Sequence, residues 1–138
     1  MLFDASGFLN PKEYDFAINL LNDNNYYEKD TALEKGNLFK DLYVPYKNYK
    51  EGKIKVYNQK DKDMLKLQEL YFIINDLNLY LDLYPEDNKA FNYYKSIIKE
   101  YNKSKEEYVK KYGPIDLLDE TEDYEWTVST FPWEDENV

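Results

Sequence analysis

The sequence predicts a mainly α protein: an antiparallel helical hairpin with an N-terminal helix and irregular docking segments at its N- and C-terminal ends. Two observations carry this. Met64, Leu67, Leu70, Tyr71, Ile74, Leu77, Leu81 and Tyr84 recur at steps of three and four, as do Phe91, Tyr94, Ile97, Ile98, Tyr101, Tyr108, Val109 and Tyr112. Each set lays one apolar stripe along a helix of 3.6 residues per turn. The only break between Met64 and Tyr112 is Tyr84-Pro85-Glu86-Asp87, so the two helices turn back on each other there. The third observation is an abrupt change after Gly113-Pro114, where a strongly acidic segment carrying tryptophan begins.

Taken in order, the first element starts with Asn10 as N-cap, Pro11 at the first helical position and Glu13 two residues on, and presents Tyr14, Ala17, Ile18 and Leu21 on one face. It stops at Asn22-Asp23-Asn24-Asn25, whose side chains compete for backbone hydrogen bonds. Thr31 and Glu34 have the spacing of a capping box over a short turn that Gly36 ends. Leu38 to Tyr49 crowds large apolar residues around Pro45 without helical periodicity, the pattern of an extended segment laid on another surface. Lys50 to Asp63 reads as a linker or weak strand. In the second long helix Glu106 with Lys110, and Glu107 with Lys111, stand in the favourable order along the solvent side. The organisation expected is 1–60, an N-terminal helix and extended segment; 61–114, the hairpin; and 115–138, a docking tail. Two helices alone leave a stripe open to water. Either the N-terminal helix and Leu38 to Tyr49 fold back over it, or a partner seats there.

Composition limits the chemistry. The 138 residues are 43% hydrophobic and 18% aromatic, enough for one packed core. There is no cysteine, histidine or arginine; all 18 basic residues are lysine. Thiolate and imidazole ligands, the usual general base and the bidentate phosphate-gripping fork are therefore missing. No catalytic residue, metal site or cofactor is expected. The Glu-x-x-His pairing of metal-binding bundles is impossible, and Asp82, Glu86 and Asp87 lack calcium-loop spacing. No run of about 18 apolar residues is present and the start, Met1-Leu2-Phe3-Asp4, lacks the form of a signal peptide, so no membrane association and no export are expected.

Charge is unevenly placed. Nine of the 28 acidic residues and none of the 18 lysines lie in 115–138. A near-neutral body with an acidic tail argues against nucleic-acid binding and for a segment that docks on a basic, grooved partner. An acidic nucleic-acid mimic that inhibits a DNA-binding protein is the alternative, and it requires charge spread evenly along the helices. Within the tail Trp126, Phe131, Pro132 and Trp133 are the candidate anchors; upstream, Leu38, Phe39, Tyr43, Pro45 and Tyr46 are candidates of the same kind. Tyr84, Pro85, Gly113 and Pro114 are assigned structural roles at the corner and the helix end. The sixteen tyrosines fall mostly at helical spacing, as core residues with wet hydroxyls, although peroxide-driven crosslinking is a second use.

Leu77-Asn78-Leu79-Tyr80-Leu81-Asp82 before Tyr84-Pro85-Glu86-Asp87, then Ala90-Phe91, Lys111-Tyr112-Gly113-Pro114, Trp126 and Phe131-Pro132-Trp133-Glu134, together resemble the spore coat protein family CotJB. The family's tail usually runs Pro-Trp-Pro-Trp, and here Phe131 replaces the first tryptophan. Ala32 to Leu42, followed by Pro45-Tyr46, is similar to the core motif of the companion coat protein CotJA. The resemblance implies a small non-enzymatic component of the bacterial spore coat, made in the mother-cell cytoplasm. It also implies association with a CotJC-like protein that resembles a manganese catalase, and with other coat proteins.

Overall fold

The computed structural model describes residues 25–122 and Tyr124; the N-terminal helix expected at 10–21 lies outside the described residues. The fold is mainly helical, with three α-helices and no strand among the described residues: α1 (Lys29–Lys35), α2 (Gln59–Leu83) and α3 (Asn88–Tyr112), with a 3-10 turn at Lys40–Leu42. The two long helices form the expected hairpin, and α1 lies against α2.

α1 begins at Lys29 rather than at Thr31. Thr31 is inside the helix, its N–H bonded to the Asp30 carboxylate at 2.6 Å, so the Thr31–Glu34 capping box does not form. The C-terminus is as expected. Gly36 sits at φ +67°, its N–H bonds Leu33 O and the Asn37 N–H bonds Ala32 O, a two-bond closure that needs a left-handed residue. The chain on either side of α1 then pairs: Tyr27 N–H donates to Leu38 O at 2.9 Å and Lys40 N–H to Asn25 O at 2.8 Å, around one antiparallel bridge between Tyr26 and Phe39.

α2 starts five residues before Met64. The Asn58 side chain accepts the Asp61 N–H at 2.8 Å and the Asp61 carboxylate accepts the Tyr57 N–H at 3.0 Å, a reciprocal cap that opens the helix inside the stretch read as a linker. Ile54 to Tyr57 forms no strand. At the corner, α2 ends at Leu83; Tyr84 and Pro85 turn the chain, and Asp87 caps α3 by accepting N–H groups from Lys89 and Ala90. α3 closes at Gly113, φ +94°, where the following Pro114 cannot continue it.

The core combines Leu70, Ile73, Leu77 and Tyr80 of α2 with Ala90 and Ile97 of α3 and with Ala32, Leu38 and Phe39 from the covering segment. The stripe of α2 is thus rotated from the expected one: Ile73 and Tyr80 are buried, Ile74 and Leu81 only partly so, and Tyr71 is exposed. On α3, Phe91 is exposed while Ala90 is buried. The reason is that α2 has two neighbours, so its buried face points between α3 and the covering segment. Leu38, Leu70, Ile73 and Leu77 are fully buried, each contributing on the order of 2 kcal/mol.

Three contacts hold the cover in place. Tyr26 stacks on Tyr93 of α3 with centroids 5.0 Å apart, Phe39 meets Tyr80 of α2 at 5.3 Å, and Lys29 Nζ bridges to Glu100 at 2.6 Å. The bridged pair Tyr26–Phe39 therefore straddles both helices. At the open end of the hairpin the Tyr112 hydroxyl donates to Asp63 at 2.9 Å and Lys111 Nζ approaches the same carboxylate at 3.3 Å.

Candidate functional site

The upstream candidates divide into an inner and an outer set. Leu38 and Phe39 are buried in the core, Leu38 completely and Phe39 with one edge left. Tyr43 is half-buried: its hydroxyl donates to Glu51, and its ring lies 4.2 Å from Lys35 Nζ. Pro45 and Tyr46 project outward, Tyr46 being 84% and Val44 82% exposed. These two flank Pro45, and the expected extended course is broken by the 3-10 turn at Lys40–Leu42 and by a turn at Lys47 and Asn48, where the Tyr49 N–H donates to Tyr46 O at 3.0 Å. The outward edge from Val44 to Tyr49 is carried on a clamp, because Lys35 Nζ bridges Glu51 at 2.7 Å and so ties the end of α1 to the chain beyond the edge. The Lys35 ammonium, and after it the Tyr43 hydroxyl, lower the Glu51 carboxyl to a pKa of about 2. The same bond raises the Lys35 ammonium.

The tail anchors Trp126, Phe131, Pro132 and Trp133 lie outside the described residues. The first turn of the tail is described, and it folds back on α3. Lys105 Nζ bridges both Asp116 and Asp119, the latter at 2.7 Å, while the Asp119 carboxylate accepts the N–H groups of Ile115 and Asp116. The two carboxylates hold the Lys105 ammonium charged well above its ordinary range. Leu117 and Leu118 project from this turn into solvent. After Gly113 and Pro114, residues 115–119 thus turn back onto Lys105 of α3.

A third apolar surface was not anticipated. Phe39, Leu42, Leu79, Tyr80, Leu83 and Tyr84 line a groove of about 330 Å³ beside the hairpin corner. Leu79 and Leu83 are 64% and 65% exposed. The signal was present in the sequence: these leucines stand four apart on α2, outside a stripe already complete without them. Asp76 closes one wall, its carboxyl raised by burial although the Leu38 N–H it accepts at 2.8 Å opposes the shift. Tyr80 is pushed up by burial, and also by Asp87, to which its hydroxyl donates at 3.2 Å.

Asp63, Asp76, Asp87, Asp116 and Asp119 each accept hydrogen bonds that shape the fold. Among the described residues no three acidic side chains gather to hold a metal ion, and no helix is long and apolar enough to cross a membrane.

The described residues thus form a small helical hairpin, closed on one side by its own upstream segment and edged with apolar and acidic surfaces. Residues 61–134, from the first turn of α2 to the end of the Phe131-Pro132-Trp133-Glu134 run, match the sequence model of the CotJB protein family. The chain belongs to the CotJB family, which places it among the structural proteins of the bacterial spore coat. The match does not reach Ala32 to Tyr46, the segment expected to resemble CotJA, which lies upstream in α1 and the covering strip. No curated protein and no solved structure matches the chain.

Proposed function

We propose that this chain is a non-enzymatic assembly protein of the spore coat, made in the mother-cell cytoplasm, which binds a manganese-catalase-like coat protein and places it among other coat proteins. The observation that carries the reading is the separation of packing from display. The hairpin's shared face is filled by Leu38 and Phe39 of the same chain, while Val44, Pro45 and Tyr46 stand outside the core and nine acidic residues follow Gly113-Pro114. An acidic segment bearing Trp126, Phe131 and Trp133 suits a partner with basic walls and apolar pockets. Tyr43, Pro45 and Tyr46 supply a second point of attachment on the opposite, neutral part of the chain. Two weak sites on one chain raise the overall affinity by making the second contact intramolecular.

Affinity purification of the tagged chain from sporulating cells, with mass identification of what accompanies it, tests the reading. A manganese-catalase-like protein retained in stoichiometric amount is the expected outcome. Recovery of the chain alone, or with nucleic-acid-binding proteins instead, would overturn it.

A further inference from the structure

Between the clamp at Glu51 and the cap of α2 lies a short strip of chain that is fixed at both ends and that no described residue pairs along either edge. Glu51 is tied to Lys35 at 2.7 Å; beyond the strip the Tyr57 N–H donates to Asp61 at 3.0 Å, while Asn58 caps the helix. From Gly52 to Val56 the backbone makes no turn, bend or bridge, and its N–H and carbonyl groups bond no other described residue. We propose that this strip is a docking strand, which takes up an extended acidic segment of a partner protein as a second strand. This role is additional to the capture of the catalase-like partner and does not depend on it.

The side chains define the segment that fits. In a straight extended chain successive side chains point to opposite sides. Lys53, Lys55 and Tyr57 therefore share one side, and Ile54 and Val56 the other. Exposure follows the same alternation: Tyr57 is 82% exposed and both lysines are exposed, whereas Ile54 is 43% exposed and Val56 half-buried. Residues 43–60 contain five lysines and a single acid, Glu51, which Lys35 already holds. Lys47, Lys50, Lys53 and Lys55 are exposed, and none forms an ion pair with a described residue. Acidic residues at alternate positions of an added strand stand opposite Lys53 and Lys55, and such cross-strand pairs stabilise the pairing. Backbone hydrogen bonds supply the rest of the affinity. Because both ends of the strip are already fixed, little chain entropy is left to lose on docking. Gly52 to Tyr57 spans about 20 Å, the length of an ordinary strand.

Two other occupants fit less well. Pairing the strip with the same strip of a second copy sets one lysine side against the other, and like charges across a strand pair are destabilising. A nucleic acid meets a chain of net charge -10 without arginine, and its phosphates leave half of the strip's backbone groups, the carbonyls, without a donor.

The probe is a ten-residue fluorescent peptide alternating glutamate with threonine, titrated into the full-length chain at low ionic strength and followed by anisotropy. Saturable binding is expected, weakened at least about tenfold by Lys53→Glu/Lys55→Glu, whose exposed positions should leave the thermal melt unchanged. At saturating peptide, hydrogen exchange of alternate amides between Gly52 and Tyr57 should slow at least about tenfold, because a strand adds along one edge and bonds every second residue there. Binding with exchange unchanged would reduce the contact to charge alone and overturn the proposal. So would no binding at all, or binding seen only in the chain ending at Glu120, which would give the strip to the chain's own tail. An oligothymidylate bound more tightly than the peptide would give it to nucleic acid, and a dimer dissociated by Lys53→Glu/Lys55→Glu would give it to a second copy; either overturns the proposal as well.

Discussion

The Asp76 carboxylate accepts the backbone N–H of Leu38 at 2.8 Å, joining the covering segment to α2 across 38 positions of sequence. Leu38 is fully buried, so its N–H has no access to water and depends on this acceptor. The arrangement carries a cost, because burial disfavours the ionised carboxyl and raises its pKa. A carboxyl raised in the folded state stabilises the fold most at low pH, and that contribution fades as pH rises from the ordinary carboxylate range through the raised value.

Replacing Asp76 separates the two effects. Asp76→Ala strands the Leu38 N–H and should destabilise the fold by about 1–2 kcal/mol in denaturant titration at neutral pH. Asp76→Asn retains an oxygen acceptor and removes the buried charge, so its loss should be markedly smaller. Equal losses in the two variants would show that charge, not the hydrogen bond, holds the cover.

The adjacent pair Ile73 and Ile74 tests which face of α2 is closed. Ile73 is fully buried and Ile74 only partly. Ile73→Ala should cost about 3 kcal/mol and Ile74→Ala about half as much, read from melts of the full chain. The reverse order would restore the stripe that periodicity alone suggests and displace Leu38 and Phe39 from the core.

That reversal shows how far the sequence could be read. The two long helices, their corner at Pro85 and the stops at Gly36 and Gly113 follow from local rules, because periodicity, a missing N–H and a left-handed residue each act within a few positions. The rotation of α2 does not. It depends on a second neighbour, the strip around Leu38 and Phe39, whose placement rests on contacts from Tyr26 to Tyr93 and from Lys29 to Glu100. The start of α2 was hidden because Gln59 to Asp63 contains no apolar residue, although the Asn58 to Asp61 spacing is a readable cap. Of the upstream docking candidates, Tyr43, Pro45 and Tyr46 could not be told from Leu38 and Phe39 by composition, since both sets are large and apolar. One local clue distinguished Asp76: its neighbours at three and four positions, Phe72, Ile73, Leu79 and Tyr80, are all apolar.

The Lys35–Glu51–Tyr43 clamp supplies a pH dependence of opposite sign to that of Asp76. Glu51 is lowered to about 2 from an ordinary value near 4.5, first by Lys35 and then by Tyr43. Its contribution is therefore complete above about pH 4.5 and is lost as pH falls from there through about 2. Glu51→Gln should leave a flatter acid limb in the stability–pH profile while changing the neutral plateau little, since the clamp lies near the surface. An unchanged acid limb would place the acid sensitivity at another carboxylate, with Asp63 and Asp116, both lowered by their hydrogen bonds, next in line.

The tail can be cut without disturbing the turn that begins it. Asp116 and Asp119 bridge Lys105, so a chain ending at Glu120 keeps both carboxylates and the first turn after Pro114. That truncation should leave the melting transition of the hairpin in place and abolish capture of the proposed manganese-catalase-like partner, because Trp126, Phe131 and Trp133 are gone. Trp133→Ala in the full chain should weaken capture by about 2 kcal/mol, in line with a buried aromatic anchor. Neutralising Glu134, Asp135 and Glu136 together should mainly slow association and flatten its dependence on salt, since charges at the rim of a contact steer the approach more than they hold the complex. Titration of each variant against the co-purified partner, at two ionic strengths, measures all three effects. If the chain ending at Glu120 binds as tightly as the full one, the tail is a solubilising extension, and the attachment passes to the exposed edge of Val44, Pro45 and Tyr46.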